Sequence, residues 1–559
     1  ALQTFKSIEG HDVVSWNAMI SIHAQHGENF ESLVLFETML NEGEMPNEVT
    51  YVSVLSACAN EANTVKGSLI YTQILAVGLK LNVFMATSLI NMYGNCGATE
   101  HARQIFDSVQ KEDVIIWNAM IKVYAQNSEG NKALEVFELM KSLGVKPSTT
   151  TFVAILEALM SQGALLEGLN MHDFIKKSGY ESDIIVGTSL LNMYGKFGVL
   201  GEVFTLFDKL IDRNIVSWNT LLNACAQREC GSQALQIFEQ MLCEGVIPDN
   251  ATFYSVVPVC ALHASLVECK RMHSLIVNSE HDSEEKLGAG IINMYGRRGR
   301  LEDAHGVFST LSRSSISPWT ALIAAYAQHG YGAKVVNCFE EMQLEGIFPN
   351  AITFASTLKG CGIIQASGKG KEIHADISRR GMLGSDYILD GALVDMYAKC
   401  GMLTEAQMVF NQISSPDVIS WNALISGYAQ SQRDEEVIGC FERMRASGIS
   451  PDAITYVSVL KACGSLGAAY KGKEIYAEIE GKRFLNDHVI VGNASVDMFG
   501  KLGILAKARE VFNMLLNRNV ISWTALIGGY AEHEQGREAL VLYDQMQMEG
   551  ICPDVITWS

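Results

Sequence analysis

Residues 12–20, Asp-Val-Val-Ser-Trp-Asn-Ala-Met-Ile, decide the fold because closely similar stretches return at regular intervals along the chain. The tryptophan of each copy lies 101 or 102 residues after the previous one, at Trp16, Trp117, Trp218, Trp319, Trp421 and Trp523. A strict period of this kind is typical of repeat proteins, whose units stack and bury a continuous core. The 559 residues are therefore predicted to form one array, although that length would ordinarily hold about three or four globular domains.

Each period divides into three predicted helix-turn-helix motifs, which have 35, 35 and 31 residues in the first period. In the first motif Trp16, Met19 and Ile20 fall on one helix face. Gly27 ends that helix, and Gly43 followed by Pro46 is a typical stop signal for the second helix. Because both chain ends fall inside a motif, we expect a fragment of a longer protein. The predicted periods are 13–113, 114–214, 215–315, 316–417 and 418–519, with partial motifs at 1–12 and 555–559 and a complete first motif at 520–554.

The composition argues against several classes of protein. Hydrophobic residues make up 48% of the chain, yet no apolar run approaches the roughly 20 residues that span a bilayer, so no membrane association is predicted.

The 13 cysteines include no Cys-x-x-Cys pair, and some share a repeat position, as Cys58 and Cys260 do. We expect small buried residues in a reducing compartment. The net charge of −20 means that any nucleic-acid site must find its positive charge locally.

The three motifs of the first period open with VVSWNAMI, EVTYVSVL and VFMATSLI. They resemble the pentatricopeptide repeat family, and within it the PLS subclass of land-plant organelles, in which P, L and S motifs alternate in that order. The resemblance covers essentially the whole chain. It implies an all-α fold, an α-solenoid of stacked helix-turn-helix repeats that forms a right-handed superhelix. The tetratricopeptide repeat fits poorly, because its period is fixed at about 34 residues and it lacks the Ser-Trp-Asn signature.

The family binds single-stranded RNA and reads one base per repeat through two side chains. By resemblance these are the fifth and the last residue of each P and S motif, which we call a recognition pair. Two pairs depart from the pattern and are expected to leave gaps, Ala289 with Ser315 and Gly391 with Asp417. The complete pairs are Asn17 with Asn47, Thr87 with Asp113, Asn118 with Ser148, Thr188 with Asn214, Asn219 with Asp249, Thr320 with Asn350, Asn422 with Asp452, Asn493 with Asn519 and Thr524 with Asp554.

The chemistry of the last residue fits base recognition. Aspartate only accepts hydrogen bonds and suits the ring N–H of guanine or uracil, whereas asparagine can donate and suits adenine or cytosine. The family pattern adds that Thr in the fifth position goes with purines and Asn with pyrimidines. The predicted RNA, 5′ to 3′, is Y-n-G-C-n-A-U-n-n-A-n-n-U-n-Y-G. The fifth residues of the L motifs are expected to remain unread: Val52, Val153, Tyr254, Ala355 and Val457.

An explanation without RNA remains open for the last residues, because Asp, Asn and Ser before a helix are ordinary N-caps. It is less satisfactory for the fifth residues, since Asn is a weak helix former and yet recurs inside the first helix. The family also places an apolar second residue beside each base, and Lys286 and Ser317 depart from that pattern. The second residues that fit are Val14, Phe84, Ile115, Ile185, Val216, Ile388, Ile419, Ile490 and Ile521.

Local positive charge is predicted at the thirteenth position of the S motifs. That position lies eight residues after the fifth, just over two helical turns, so the two share a helix face. P motifs carry mostly glutamine there, and acidic residues concentrate on the second helices, as at Glu341 and Glu435. We expect modest RNA affinity with marked salt sensitivity. The predicted phosphate-contacting residues are Lys196, Arg297, Lys399 and Lys501.

No catalytic constellation is found. Many PLS proteins end in a zinc deaminase domain, which needs an H-x-E and a C-x-x-C. Here the single H-x-E, His26-Gly27-Glu28, lies in a turn and has no C-x-x-C to complete it. We therefore predict a binding protein without cofactor or metal; any deamination would require a domain beyond Ser559 or a deaminase-bearing partner.

The leading hypothesis is a mitochondrial or chloroplast factor that selects sites for C-to-U RNA editing and acts with editing-complex proteins. An RNA stability or splicing factor is the second hypothesis. A protein-interaction solenoid that binds no RNA is the third, and the acidic charge favours it. The fifth-position choice between Asn and Thr argues against this last hypothesis, because a protein-binding groove has no need of it.

Overall fold

The structure, a computed structural model, describes residue 5 and residues 11–228, 230–279, 285–384, 387–482 and 484–558. Throughout this part of the chain every regular element is an α-helix, which confirms the predicted all-α class. The contacts divide the chain into two compact units, Ala1–Ser265 and Leu266–Ser559, each of which is described by itself.

The helices have 10 to 14 residues, apart from two short helices of four residues in the second unit. The first unit contains α1 Val13–Gln25, α2 Asn29–Asn41, α3 Glu48–Asn60, α4 Thr64–Ala76, α5 Val83–Asn95, α6 Thr99–Ser108, α7 Val114–Gln126, α8 Gly130–Ser142, α9 Thr149–Gln162, α10 Leu165–Lys177, α11 Ile184–Phe197, α12 Leu200–Lys209, α13 Ile215–Gln227, α14 Gly231–Cys243 and α15 Asn250–His263. The second unit contains α16 Leu266–Asn278, α17 Glu285–Arg297, α18 Leu301–Thr310, α19 Ile316–Gln328, α20 Gly332–Leu344, α21 Ala351–Ile363, α22 Ser367–Arg379, α23 Tyr387–Lys399, α24 Leu403–Gln412, α25 Val418–Gln430, α26 Asp434–Ala446, α27 Ala453–Ser465, α28 Ala469–Gly481, α29 Phe484–Asp487, α30 Val489–Lys501, α31 Leu505–Met514, α32 Val520–Glu532, α33 Gly536–Met548 and α34 Val555–Trp558.

The helix ends follow local sequence signals. Asn47 is extended and accepts a hydrogen bond from the Thr50 backbone N–H at 3.1 Å, so it caps α3. Gly43 has φ +84° after α2, and the N–H of Glu44 donates to the Met39 carbonyl at 3.2 Å. This is the left-handed glycine stop that Gly43 predicts, because only glycine adopts such a φ without strain. The division into P, L and S motifs stays a prediction.

The first helices of successive motifs lie side by side. In the first unit the contacts run through α1, α3, α5, α7, α9, α11, α13 and α15, and in the second through α17, α19, α21, α23, α25, α27, α30, α32 and α34. Within each unit the second helices pack against their own first helix and, in most motifs, against the next one, as α2 does with α1 and α3. This arrangement is the α-helical repeat solenoid that the sequence predicts.

The recurrent tryptophans hold neighbouring motifs together. Trp117, Trp218 and Trp319 are fully buried, and the other described copies are at most 3% exposed. Each meets the edge of a phenylalanine, which for every copy after Trp16 comes from the preceding second helix; the ring centroids of Phe207 and Trp218 are 4.6 Å apart. The tryptophans therefore pack successive motifs together. Trp558 is the exception, because its side chain lies outside the described residues.

The cysteines divide by exposure. Eight of the thirteen are buried, as predicted, and burial raises the pKa of the Cys58 thiol to about 11. The prediction is wrong for Cys243 and Cys552, which are exposed because they lie at and beyond the ends of second helices. Among the described helices, none combines the length and the apolar character needed to cross a bilayer.

Candidate RNA interface

All five recognition pairs that begin with asparagine are joined directly by a hydrogen bond. In each, the fifth-position amide Nδ2 donates to the side chain of the last residue, 26 or 30 residues further along the chain. The distances are 3.0 Å for Asn17 to Asn47, 3.1 Å for Asn118 to Ser148, 2.9 Å for Asn219 to Asp249, 2.9 Å for Asn422 to Asp452 and 3.2 Å for Asn493 to Asn519. The fold thus brings together residues that the sequence analysis paired by resemblance alone.

The last residues of these pairs also cap the following helices, as the explanation without RNA expects. Asp249 accepts from the Thr252 backbone N–H at 2.8 Å while it accepts from Asn219. Burial alone would raise the pKa of Asp249, but the hydrogen bonds from the Thr252 backbone and from the Asn219 and Thr252 side chains lower it below its ordinary value. The carboxylate therefore remains an acceptor at neutral pH.

The four pairs that begin with threonine are not joined directly. Thr87 and Thr188 donate to carbonyls of their own helix, at 2.7 and 2.6 Å, and not to Asp113 or Asn214. Thr320 and Thr524 lie 2.8 Å from the hydroxyls of Thr353 and Thr557. Those hydroxyls in turn donate to Asn350 at 2.8 Å and to Asp554 at 2.7 Å. A threonine pair is therefore linked through a third residue or not at all.

That third residue was not predicted from the sequence. It is the third residue of the L motif that follows, and four of its copies donate to the Oδ1 atom of a fifth-position asparagine. The distances are 2.5 Å from Thr50 to Asn17, 2.6 Å from Thr151 to Asn118, 2.6 Å from Thr252 to Asn219 and 2.6 Å from Thr455 to Asn422. The sequence did carry a signal for this residue, because the same amino acid stands at this position in all six L motifs: Thr50, Thr151, Thr252, Thr353, Thr455 and Thr557.

The apolar second residues are exposed although they are large. Their exposed fractions run from 41% at Ile115 to 68% at Val14, Phe84 and Ile419, and every other predicted copy lies between these values. They come three residues before the fifth position, so they lie on the same side of the first helix. A repeated apolar group that the fold leaves in solvent is suited to contact the face of a base or another apolar partner.

In the second unit, several predicted site residues line one cavity of about 760 Å³. Asn493, Thr524 and Asp554 supply hydrogen-bonding groups from two neighbouring motifs, and Ile490 and Ile521 supply the apolar second residues. Lys461 and Lys501 lie along the same lining, together with Asp497 and Glu532. The cavity therefore combines hydrogen-bonding side chains, apolar side chains and cations, although the acidic residues partly neutralise the positive charge of the lysines.

The predicted phosphate contacts differ in availability. Lys196 and Arg297 are exposed, and their side chains make no ion pair with any described residue. Lys399 lies 2.6 Å from Asp395 and Lys501 lies 2.9 Å from Asp497, each one helical turn away. These carboxylates partly neutralise the two lysines. Three further exposed lysines, not predicted from the sequence, stand at the ninth position, one turn after the fifth: Lys122, Lys359 and Lys461.

The two nonconforming pairs behave differently. Ser315 makes no side-chain cap hydrogen bond, and Ala289 offers no polar group to it. Asp417, by contrast, caps its helix by accepting from the Ser420 N–H at 2.8 Å. A Cβ added at Gly391 would have the Ser420 Oγ, at 3.4 Å, as its nearest neighbour, so a β-carbon would make an ordinary van der Waals contact there. The second gap thus lacks only its fifth-position group.

The His26-Gly27-Glu28 segment does not gather a metal site. The Glu28 carboxylate contacts the Nδ1 atom of His23 at 2.5 Å, and His26 is exposed just after the end of α1. Across the described residues no group of three His, Cys, Asp or Glu side chains is placed to hold a metal ion.

Family models of pentatricopeptide repeats match more than half of the chain. The model described as PPR repeat family matches 11–60, 112–161, 213–261, 319–362, 416–465 and 518–559. The model described as pentatricopeptide repeat domain matches 69–114, and that described as PPR repeat matches 188–215, 290–316 and 391–415.

Similar proteins include three from Arabidopsis thaliana that are named as pentatricopeptide repeat-containing proteins. A mitochondrial one is 33% identical over 521 residues, which cover 93% of this chain and 50% of that protein. A second, named without a compartment, is 31% identical over 509 residues, which cover 90% and 73%. The chloroplastic protein DOT4 is 33% identical over 510 residues, which cover 91% and 58%. The chain thus spans about half of the first relative and more of the others.

Solved structures of the maize pentatricopeptide repeat protein PPR10 share the fold. One matches with a TM-score of 0.55 at 20% identity and covers 98% of this chain and 80% of PPR10. The other, a complex of PPR10 with an 18-nt psaJ RNA element, matches with a TM-score of 0.59 at 19% identity and covers 99% and 82%. At these identities the likeness shows the solenoid fold.

Proposed function

This chain belongs to the pentatricopeptide repeat family, and from that premise we propose that it binds single-stranded RNA, one base for each P or S motif. The observation that carries the proposal is the hydrogen bond between the fifth and last residues, which recurs in all five asparagine pairs. An N-cap stabilises the helix that follows it. Capping alone, however, does not require the cap residue to accept a hydrogen bond from an asparagine amide 26 or 30 residues earlier in its own motif. Base recognition explains both residues together.

Three further features support the proposal. The exposed second residues place apolar groups beside the recognition pairs, where the faces of bases would lie. The lysines at the ninth and thirteenth positions supply local cations in a chain whose net charge is −20. The similar structure of PPR10 was solved with a bound RNA element, so the shared fold can hold RNA.

A binding experiment tests this proposal. The affinity for the 16-nucleotide sequence Y-n-G-C-n-A-U-n-n-A-n-n-U-n-Y-G is compared, at low salt, with that for a version in which purines and pyrimidines are exchanged at the nine read positions. We expect clearly tighter binding of the first RNA. Equal affinities would show that the recognition pairs read no bases. Failure to bind either RNA would favour the protein-interaction hypothesis, for which the acidic second helices would form the surface.

The biological setting is proposed from the family. Relatives named mitochondrial and chloroplastic support an organellar protein without choosing the organelle. The alternation of P, L and S motifs supports a role as the site-recognition factor for C-to-U editing, with a deaminase supplied by another domain or by a partner of the editing complex. Loss of the protein should then abolish conversion of particular cytidines. Loss of transcripts or retention of introns, with editing intact, would instead indicate a stability or splicing factor.

A further inference from the structure

The hydroxyl of Thr252 contacts three polar atoms of the recognition pair formed by Asn219 and Asp249. The side chain is fully buried, and its Oγ1 lies 2.6 Å from Asn219 Oδ1 and 2.9 Å from Asp249 Oδ1. The same Oγ1 accepts from the Asp249 backbone N–H at 3.2 Å. Thr50, Thr151 and Thr455 occupy equivalent places in their motifs and are also fully buried.

Proton counting assigns the donor in this cluster. A threonine hydroxyl carries one proton, and the Asp249 carboxylate oxygen already accepts from the Thr252 N–H and from Asn219 Nδ2. The Thr252 hydroxyl therefore donates over the shorter distance, to Asn219 Oδ1. Rotating the amide by half a turn would place Asn219 Oδ1 against the Asp249 carboxylate, and two acceptors would then face each other. The Asp249 carboxylate and the Thr252 hydroxyl therefore hold the amide in the same orientation from its two ends, the carboxylate at Nδ2 and the hydroxyl at Oδ1.

We propose that Thr50, Thr151, Thr252 and Thr455 are positioning residues that fix the orientation of the fifth-position amides. This inference rests on the proposed RNA binding. With Oδ1 held by the threonine, the amide can present only Nδ2 to a base. At Asn17, Asn219 and Asn422, Nδ2 keeps a second proton beyond the one given to the last residue. At Asn118 that second proton is donated to Thr150 Oγ1 at 2.6 Å, a bond that a base would have to replace. Both pyrimidines carry a carbonyl oxygen at C2 that can accept it. The threonine therefore converts an ambiguous amide into a defined donor.

The asparagine of an S motif shows what happens without this threonine. Asn493 is followed by a P motif whose third residue is Ser522, and the Ser522 hydroxyl donates to Asn519 at 3.0 Å. The Oδ1 atom of Asn493 is buried, and no described residue satisfies it. Its amide is held by a single bond, from Nδ2 to Asn519. The pyrimidine preference at Asn493 is accordingly expected to be weaker than at Asn219.

The test replaces Thr252 by valine, which keeps the shape of the side chain and removes its hydroxyl. Binding is measured with four RNAs that differ only at the seventh base of the predicted sequence, opposite Asn219 and Asp249. We expect the preference for pyrimidine over purine at this base to fall by about tenfold, as the loss of one buried hydrogen bond implies. The preferences at the fourth and thirteenth bases, opposite Asn118 and Asn422, should be unchanged.

Thr353→Val is the matched control, because it removes the same kind of capping hydroxyl beside Thr320. A threonine can turn to its own helix, as Thr87 and Thr188 do, so preference at the tenth base should change little. Equal loss of affinity for all four RNAs in Thr252→Val, with discrimination retained, would overturn the positioning role. Absence of discrimination at the seventh base in the unmodified protein would instead contradict the proposed base recognition.

A second variant guards against misfolding of Thr252→Val. Ser522→Thr supplies the missing threonine after Asn493, and its β-branched side chain restricts the rotamers of the hydroxyl. We expect the pyrimidine preference at the fifteenth base to increase by severalfold. An unchanged preference, in a variant that melts like the unmodified protein, would contradict the proposal independently of Thr252.

Discussion

The amide nitrogen of Asn219 lies 2.9 Å from the carboxylate of Asp249, thirty residues further along the chain. The bond closes a helix-turn-helix motif on itself, because one residue stands in the first helix and the other follows the second. Asp249 also caps the next helix, so the pair is fixed by the backbone at both ends. Two side chains held in this way form a rigid pair of hydrogen-bonding groups, which is what discrimination between bases requires.

Changing Asn219 to threonine should move the preference at the seventh base from uracil toward guanine. Asp249 is unchanged and still selects a base with a ring N–H, whereas the fifth residue now matches the purine pattern. Threonine fits this place, because Thr320 and Thr524 bond their third-position threonines at 2.8 Å in equivalent motifs. The change in relative affinity should be on the order of 1–3 kcal/mol, measured by competition between the two RNAs.

The reciprocal variant Thr320→Asn is the control for this exchange. It should move the tenth base from adenine toward cytosine while the seventh base keeps its preference. If neither variant alters the base preference, the fifth residues do not contact RNA.

Gly391→Asn should create a new recognition pair in the second gap. Asp417 is already placed as a helix-capping acceptor, and the nearest atom to a Cβ added at Gly391 would be 3.4 Å away. The unmodified protein is expected to bind all four bases equally at the twelfth position, and the variant to prefer uracil. Gly391→Ala is the matched control, because it adds helix propensity of up to about 1 kcal/mol and no polar group. Equal base tolerance in both variants would show that this repeat does not reach the RNA.

The fold could be predicted because its signal is repeated. A period of 101 or 102 residues, helical stripes and glycine stops all indicate stacked hairpins, and a large aromatic within a stripe indicates packing. The recognition pairs could be placed only by resemblance, since helical spacing does not show that residues 30 apart meet. Thr252 was missed for a related reason: at the third helical position it looks like an ordinary capping-box residue. Only the packed structure shows its hydroxyl reaching Asn219, 33 residues earlier.

The prediction of phosphate-contacting residues uses only part of the sequence signal. The repeat position predicts Lys399 and Lys501, although Asp395 and Asp497 stand four residues before them, a spacing at which opposite charges meet on a helix. Lys359 and Lys461 stand one turn nearer the fifth position, in L motifs whose fifth residues are expected to remain unread. The L motifs thereby gain an expected role in phosphate contact.

Lys196→Ala should weaken RNA binding uniformly across sequences and reduce its salt dependence. One phosphate contact to a single strand contributes about 0.7 to the slope of log K against log salt. Lys501→Ala should have a smaller effect, because Asp497 already neutralises part of its charge. Asp497→Asn should accordingly raise the affinity.

Lys141→Ala, on a second helix and paired with Glu138 at 2.9 Å, is the control for this series. Titrations at several salt concentrations measure all four slopes. A slope for Lys141→Ala as low as that for Lys196→Ala would show that the phosphates do not follow the first helices.

The carboxylate of Asp249 should become protonated only at low pH. Its hydrogen bonds lower its pKa in the folded protein below the ordinary value of 3.8, so the unfolded chain takes up the proton first as the pH falls. The stability that the ionised group contributes is therefore complete well above that value and is lost as the pH falls through the lower folded pKa. Preference for uracil at the seventh base should be the same at about pH 8 and pH 5, since the carboxylate is ionised at both.

Asp249→Asn separates the two roles of this residue. The variant keeps an N-cap and should bind cytosine in place of uracil, because an amide can donate where the carboxylate only accepts. Its melting temperature should fall less than that of the unmodified protein between about pH 5 and pH 3, since it has no proton to take up. If the uracil preference of the unmodified protein decays between pH 8 and pH 5, another titrating group carries the recognition. If the variant still prefers uracil, Asp249 serves only the helix.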